Sequence, residues 1–594
     1  MTALDWGVVG VYAALTLGIG VWLSRRGARS LVDFFAGSRA LPWWLAGTSM
    51  AATTFSVDTP LYVTGVVARR GIAGNWEWWA FAFSHVLMIY LFARLWRRAG
   101  VVTDVELTEL RYYGRPAAIL RAFRAFLFAV PINCIAMGYA MLAMRKLIGA
   151  LGLFDALPFD LPGDDRLAIV VFVSVLVLLY AGLAGLWGVV ATDFFQFVLA
   201  MAGAFLVAGF ALHDVGGLAA VKEALVAQGL GDRLGFLPSG EFDLSLWSDA
   251  AALTWGTFFA YLGIQWWAWR RSDGGGEFVQ RLVASKSEED AARAAWLFNI
   301  LHYVVRTWPW ILVALAALVV FPALEDPELG YPLLMMRYLP VGLLGLVVAS
   351  LFAAFMSTVS TQINWGASYL VNDLYLRFVD RDAGERAMVW MGRAASAVLV
   401  GLAAVAAYLA DDVGKVFRFM IAIGTGPGLV LILRWFWWRV NAWAEIAAMG
   451  AGFVIALASY LPWWEGLDFG ARLAVTALGA AAVWVPVMWW TRPEPEATLE
   501  AFYRRIRPGG PGWRRQRAAT GLPALQDLGA DLRSSLYAVV LLLGAVVGTG
   551  GGLLGRWDLA IGAGLAVAVS GSLLHRESMR RRLHVKTTAA GGTR

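Results

Sequence analysis

Residues 349–375 read ASLFAAFMSTVSTQINWGASYLVNDLY, an apolar run of helix length that carries Ser357, Thr358, Ser360 and Thr361 near its middle. At about 100° per residue these four positions, with Ala354 one turn earlier, fall within an arc of roughly 160°, so one face presents several oxygens together. In a membrane span that is where hydroxyls are least able to reach water. A hard, partly dehydrated cation wants such a face.

The composition around that run places it in a bilayer. Of 594 residues 59% are hydrophobic and only 15% charged, with 30 Trp. Apolar stretches near 20 residues, the length that crosses about 30 Å of hydrocarbon, recur almost without pause and give about fifteen spans. They lie near 5–23, 42–67, 77–97, 118–149, 167–186, 190–213, 250–270, 295–322, 334–376, 389–410, 414–435, 442–462, 470–490, 534–555 and 557–574. Lys and Arg collect on the cytoplasmic side of such chains. The connections that hold Arg25, Arg26, Arg29 and Arg39, then Arg94, Arg97, Arg98 and Arg111, then Arg281, Lys286 and Arg293, then Arg377 and Arg381, then Arg504, Arg505, Arg514 and Arg515 all fall on one side. The alternate ones are poor in base, with Asp164, Asp165, Glu325, Glu328, Asp411, Asp412 and Glu465. An outside N-terminus and a cytoplasmic C-terminus in the inner membrane are expected. The net charge of +7 is then mostly an orientation signal, and nucleic acid is not an expected partner. The first span lacks a basic leader and a small-residue cleavage site, so it reads as a retained helix.

Cys134 is the only cysteine, which excludes an intrachain disulfide, and the five His show no metal-ligand spacing. An enzyme would need a nucleophile with a base, or a metal cluster, and neither is visible. Two further polar breaks interrupt the apolar runs. Asp193, within 180–196 (YAGLAGLWGVVATDFFQ), puts a carboxylate near the start of a span, where it needs a cation or donor beside it or else acts with Thr192 as a helix N-cap. The stretch 51–60 (AATTFSVDTP) combines hydroxyls, Asp58 and Pro60 in mid-run; it is either a helix broken around a site or a proline kink with self-bonded hydroxyls.

Taken together, five stretches resemble the sodium:solute symporter family, which includes sodium-coupled sugar, proline, pantothenate and sialic-acid carriers. They are FFAGSR (34–39) with LPWW (41–44), the 180–196 segment, VQRLVASK (279–286), AAFMST (353–358) and WWRVN (437–441). The resemblance implies an all-α polytopic membrane protein with a five-plus-five inverted-repeat (LeuT-like) transporter core and extra helices at both ends. Residues 1–30 would be an extra N-terminal helix, 31–249 the first repeat, 250–441 the second, and 442–594 additional C-terminal helices with a cytoplasmic loop near 492–533. It further implies alternating access around a midplane site.

Carried over by position, a sodium seat would use the carbonyls of Ala52, Phe55 and Ala354 and the hydroxyls of Ser357 and Thr358. A second ion would use Asp193, Ser357, Ser360 and Thr361, so one sodium is expected and a second is a hypothesis. The solute, a sugar, amino acid or organic anion, would meet Ser56, Asp58, Thr59, Trp76, Glu77, Asn133, Gln265, Trp266, Trp267 and Thr425. Three consecutive glycines, Gly274 to Gly276, predict an unwound segment. Arg270 and Arg271 just before it read either as cytoplasmic anchors of the span or as contacts to an anionic solute. A proton-coupled carrier, with Asp58, Glu77 or Asp193 as proton site, and a sodium-dependent sensor or channel are the competing readings. The lipid bilayer is a further expected partner, and a monomer is the expected functional unit.

Overall fold

The computed structural model describes residues 1–27, 41–101, 103–153, 164–181, 186–245, 247 and 253–591. The FFAGSR motif at 34–39, Arg29 and Arg39, and part of the 180–196 segment lie outside the described residues. Among those described every regular element is helical, and extended pairing is confined to single bridges.

The principal helices are α1 (Ala3–Gly27), α2 (Trp43–Thr53), α3 (Asp58–Arg70), α4 (Ile72–Ala99), α5 (Gly114–Ala150), α6 (Asp165–Ala181), α7 (Leu186–Val215), α8 (255–268), α9 (Glu277–Ala284), α10 (Glu288–Val320), α11 (Leu343–Val379), α12 (Glu385–Leu409), α13 (Val413–Gly424), α14 (Gly428–Phe436), α15 (Ala442–Ala458), α16 (Phe469–Trp490), α17 (Leu528–Leu553) and α18 (Trp557–Gly591). Nine of the described helices are long and apolar enough to cross a membrane, and helical structure stands at each of the fifteen expected runs. Trp390, Val398, Leu402 and Val405 on α12, with Ile561, Leu565 and Val569 on α18, are exposed. Apolar faces of that extent need lipid or a partner to cover them.

Local chemistry sets the helix starts. Thr254, Ser287, Asp412, Asn441, Asp468 and Asp527 each accept a hydrogen bond from a backbone N–H in the first turn of α8, α10, α13, α15, α16 and α17. Such caps satisfy donors that have no partner inside the helix. Three runs are broken in their middle. Between α2 and α3 the chain unwinds at 54–57, and Pro60 is tolerated because it sits in the first turn of the restarted helix. Between α8 and α9 residues 269–276 are non-helical, with Gly274 and Gly276 at φ of 73° and 78°, so the expected unwound segment is present and its glycines supply left-handed backbone. The third break separates α13 from α14.

The second and third breaks pair with each other. Arg270 N–H donates to the Gly424 carbonyl at 2.9 Å and Gly426 N–H to the Ala268 carbonyl at 3.0 Å. A Cβ on Gly428 would sit 2.2 Å from the Trp267 carbonyl oxygen and 2.3 Å from the Ala268 carbonyl carbon. Backbone cannot yield as a flexible side chain does, so Gly428→Ala is expected to cost several kcal/mol. Size-exclusion profiles in detergent check this: the variant should aggregate where wild type runs as a single peak.

α11 lies at the centre, packed on α1, α2, α7 and α12; α2 and α3 pack on α10; α15 with α16 and α17 with α18 form two hairpins outside the core. Arg111 and Arg281, read from the sequence as loop residues marking one membrane side, are 0% and 1% exposed. Arg111 donates to the carbonyls of Arg434, Trp437, Trp438 and Val440, because the end of α14 leaves those acceptors without helical partners.

Candidate functional site

The α2–α3 break meets the hydroxyl stripe of α11. Thr358 Oγ1 donates to the Phe55 carbonyl at 2.9 Å and reaches the Thr53 carbonyl at 3.4 Å, oxygens that the interrupted helix has left free. The Ala52 carbonyl, in the same turn, accepts from Phe55 N–H. Ala52, Phe55, Ala354, Ser357 and Thr358 therefore gather where the two elements touch, all but Thr358 at 3% exposure or less. Ala354 stands one turn before Thr358 on the same face. The Thr54 and Ala51 carbonyls are taken by Arg306 Nη1, at 2.9 and 3.4 Å.

The rest of the stripe turns to Asp193. This residue lies seven positions inside α7, so the N-cap reading does not hold. Ser357 donates to one of its oxygens and Ser49 to the other at 2.6 Å. The Arg281 guanidinium is 3.8 Å from that second oxygen and donates to Thr53 Oγ1 at 3.0 Å and Thr361 Oγ1 at 3.3 Å. Asp193 thus has both a donor and a cation beside it, as a carboxylate at this depth requires. Ser360 differs from its neighbours: its hydroxyl bonds back to the Ser357 carbonyl of its own helix at 3.1 Å. Sequence reasoning read Arg281 only as a charge marker, since nothing in VQRLVASK shows that α9 is buried on every side.

A cavity of about 160 Å³ opens on the same break. Thr53 to Ser56, Asp58 and Thr59 form one wall. Tyr62 of α3, Trp78, Phe81 and His85 of α4, Ala136, Tyr139 and Ala140 of α5, Trp269, Arg271, Glu277 and Phe278 around the second break, His302 and Arg306 of α10, Thr358 and Gln362 of α11, and Phe417 and Met420 of α13 complete it. Four charged groups line it. Arg271 pairs with Glu277, whereas Asp58 and Arg306 have no oppositely charged partner within 4 Å among the described residues. Arg306 Nη2 lies 3.0 Å from His302 Nε2, and His302 Nδ1 lies 3.1 Å from Thr54 Oγ1. With the histidines neutral the lining charges cancel.

Of the ten solute positions read from the sequence, Ser56, Asp58 and Thr59 line this cavity and seven do not. Trp76 donates to the Phe236 carbonyl at 2.9 Å. Glu77 holds Arg70 at 3.0 Å and Tyr261 at 3.1 Å, and Gln265 reaches the Glu77 carbonyl at 2.6 Å. Asn133 donates to the Gln362 carbonyl at 2.9 Å. Trp266 and Trp267 donate to the Leu262 and Gly263 carbonyls of their own helix. Thr425 bonds the Ile421 carbonyl at 2.9 Å and pairs with Trp269. In each case a neighbouring backbone or charge holds the side chain outside the cavity, although one oxygen each of Glu77, Asn133 and Gln265 is left without a partner. Arg270 and Arg271 are 2% and 9% exposed and lie over the Trp269 ring, so neither is an interface anchor.

Below the cavity the unwound segment is clamped by a buried ionic network. Asp273 accepts from Arg434 at 2.7 Å and Trp435 at 2.9 Å. Asp104 accepts from Arg124 at 2.8 Å, from Gly276 N–H at 3.1 Å and from Tyr369. Glu445 accepts from Arg124 at 2.6 Å, Arg434 at 3.0 Å and Tyr112 at 2.9 Å. Three carboxylates and two guanidiniums, each 1% exposed or less, join α5, α14 and α15 to the turn at Asp104 and to the unwound segment at Asp273.

Two discontinuous helices crossing at a polar cavity, with a hydroxyl-bearing helix across the first break, form the arrangement by which carriers hold an ion and a solute in mid-membrane. The sodium:solute symporter family model matches residues 34–452. The chain belongs to that family. This symporter is 26% identical over 491 residues to a sodium/glucose cotransporter of Vibrio parahaemolyticus, covering 77% of this chain and 85% of the relative. It is likewise 26% identical over 491 residues to sodium/glucose cotransporter 4 of Danio rerio, covering 77% of this chain and 71% of that one. The solved structure of a substrate-bound, outward-open Na+-coupled sialic acid symporter superposes with a TM-score of 0.65 at 19% identity, covering 83% of this chain and 99% of that chain. The fold is the LeuT-like five-plus-five inverted-repeat core with additional helices. The function is sodium-coupled uptake of a small organic solute by alternating access, in a family of transporters.

Proposed function

We propose that this symporter carries one sodium ion at the meeting of the α2–α3 break with α11, seated by the Ala52, Phe55 and Ala354 carbonyls and the Ser357 and Thr358 hydroxyls. The observation that carries the reading is a shared wall: Phe55 and Thr358, which touch at 2.9 Å, both line the solute cavity. An ion that draws those two oxygens together closes one side of the cavity, so ion and solute each favour the conformation the other needs. At the second place, Asp193 with Ser357, Ser360 and Thr361, Arg281 already supplies a positive charge. A second sodium would have to displace that guanidinium, which favours a stoichiometry of one. A single charge moving down 100 mV contributes about 2.3 kcal/mol, roughly 50-fold accumulation before any chemical gradient.

The solute we infer is uncharged and polyhydroxylated, of the sugar class named for the cotransporter relatives. Cancelling wall charges disfavour a net anion or cation, the Asp58 and Arg306 groups offer acceptors and donors to hydroxyls, and Trp78, Phe81 and Trp269 offer apolar faces. The repeats would run over 31–249 and 250–441, flanked by 1–30 and 442–594, with the N-terminus outside and the C-terminus in the cytoplasm of the inner membrane, and a monomer would suffice. Uptake of labelled hexoses into proteoliposomes tests this, with sodium replaced by choline at fixed pH. Uptake lost in choline and independent of pH is the expected result; uptake driven by a pH gradient without sodium would establish the proton-coupled alternative.

A further inference from the structure

Arg306 touches the α2–α3 break and also lines the solute cavity. It follows a widened turn of α10, Ile300–Val305, where its backbone N–H donates to the Leu301 carbonyl at 3.2 Å. The residue is 2% exposed. Nη1 donates to the Thr54 carbonyl at 2.9 Å and reaches Thr54 Oγ1 at 3.3 Å and the Ala51 carbonyl at 3.4 Å. Nε donates to the His302 carbonyl at 3.1 Å, and Nη2 lies 3.0 Å from His302 Nε2. A guanidinium has donors only, so His302 Nε2 accepts. The ring proton is then on Nδ1, 3.1 Å from Thr54 Oγ1. Nη2 carries two hydrogens, and among the described residues His302 supplies it with one acceptor.

The Ala51 and Thr54 carbonyls are the chain neighbours of Ala52 and Phe55, whose carbonyls belong to the sodium seat proposed above. Arg306 and the ion therefore draw on the same unwound turn. Two positive charges brought together away from water repel strongly, so a guanidinium held on that turn weakens sodium binding. A solute hydroxyl that accepts from the second Nη2 hydrogen draws the guanidinium towards the cavity and relieves the repulsion.

We propose that Arg306 is the group that couples solute to ion. Without solute it stays on the Ala51 and Thr54 carbonyls and opposes sodium; bound solute draws it off. His302 is a positioning residue, holding the guanidinium between the two sites through Nε2. The inference rests on the sodium seat and the sugar-class solute given above, and it supplies the residue through which each raises the affinity of the other.

Thermal unfolding of the purified full-length protein against sodium concentration tests this, with choline making up the ionic strength and glucose as the probe solute. A ligand that binds the folded state raises Tm. In wild type, saturating glucose should lower the sodium concentration for a half-maximal shift by about fivefold or more. Arg306→Gln removes the charge. Its half-maximal sodium concentration without glucose should fall several-fold below wild type, and glucose should then change it by less than about twofold. Mere disturbance of the break would weaken sodium binding, so a gain is a result that a structural role does not give. Arg306→Lys keeps the charge but loses the planar fork; it should bind sodium like wild type without glucose and lose the glucose effect. Unchanged or weaker sodium binding in Arg306→Gln, or a glucose effect of wild-type size in either variant, overturns the proposal. Should Arg306→Gln not fold, the glucose effect in Arg306→Lys decides. Thr358→Val separates this inference from the sodium seat: unaltered sodium binding in Thr358→Val moves the seat itself, whereas weaker binding there beside an unaltered Arg306→Gln refutes only the role of Arg306. If glucose has no effect on wild type, glucose is not the solute, and sodium binding by Arg306→Gln still decides.

Discussion

Thr358→Val should raise the sodium concentration for half-maximal uptake by roughly 10- to 150-fold, the range that corresponds to about 1.5–3 kcal/mol for a hydrogen-bonding group facing a charge. Valine keeps the branched shape of threonine and removes only the hydroxyl. The packing of α11 against α2 is then retained while the oxygen 2.9 Å from the Phe55 carbonyl is lost. Thr358→Ser, which restores an oxygen at the same atom, should recover most of the affinity. Initial rates of solute uptake against sodium concentration, with potassium making up the ionic strength, give the measurement. Because Thr358 also lines the solute cavity, the solute concentration for half-maximal uptake should rise at low sodium and return towards wild type at saturating sodium. An unchanged sodium dependence in the valine variant would remove this hydroxyl from the ion seat.

The polar stripe of α11 was legible because it contradicts its surroundings: four hydroxyls in a long apolar run have no cheap explanation except a partner inside the protein. Ser357, Thr358 and Thr361 each find that partner on another helix. Asp193 was legible for the same reason, and so was the unwound segment, because three adjacent glycines cannot hold a helix without cost. The solute cavity was far less so. Its wall is drawn from short pieces of eight helices and two unwound segments, and only the α2–α3 break carries enough polar residues in sequence to announce itself. His302 and Arg306 share a helical i,i+4 spacing, but it stands alone in an apolar run, and His85 joins them only once α4 and α10 pack together. Gln265, Asn133 and Glu77 are equally polar and equally isolated, yet each is tied to the scaffold by one side-chain group while its other oxygen is left without a partner. Sequence shows that a buried polar group needs a partner; packing alone decides whether the partner is a ligand or a neighbouring carbonyl.

The burial of Arg281 and Arg111 follows from the same ambiguity. Positive-inside reasoning treats an arginine between two apolar runs as loop, whereas both side chains here collect free backbone or hydroxyl oxygens at helix ends and breaks. A guanidinium with five donors suits that task better than any other side chain. The α2–α3 break and the end of α14 free several carbonyls, and Arg306 and Arg111 respectively serve as the donors for them. The grouping of basic residues at the Arg97 and Arg98 end does not depend on these two, since Arg98 donates to the Ile506 carbonyl and Arg505 to the Ala99 carbonyl.

Arg434→Met should be the most destabilising change in the ionic network around the unwound segment, and its effect should have two parts. Arg434 bridges Asp273 and Glu445 at 2.7 and 3.0 Å with every partner fully buried. Removing it leaves Asp273 with the Trp435 indole N–H, the Gly275 backbone N–H and no cation, a loss of the kind that costs about 3–5 kcal/mol in other buried pairs. That cost is paid only while the network is closed. If the α8–α9 segment parts from α14 and α15 when the protein opens here, water reaches both carboxylates and the penalty falls away. The variant should therefore shift towards the open state as well as lose thermal stability. A reporter is available because Cys134 is the single cysteine: in a Cys134→Ala background, Met88→Cys places a thiol at a position that is 0% exposed and 3.0 Å or slightly more from the position a Cβ on Gly274 would take. Its labelling by a maleimide, measured well below Tm, should be several-fold faster with Arg434→Met, and sodium together with solute should slow it again. Faster labelling that ignores both ligands would mean general unfolding. No change in labelling, despite a lowered Tm, would make the network a structural clamp with no part in alternating access.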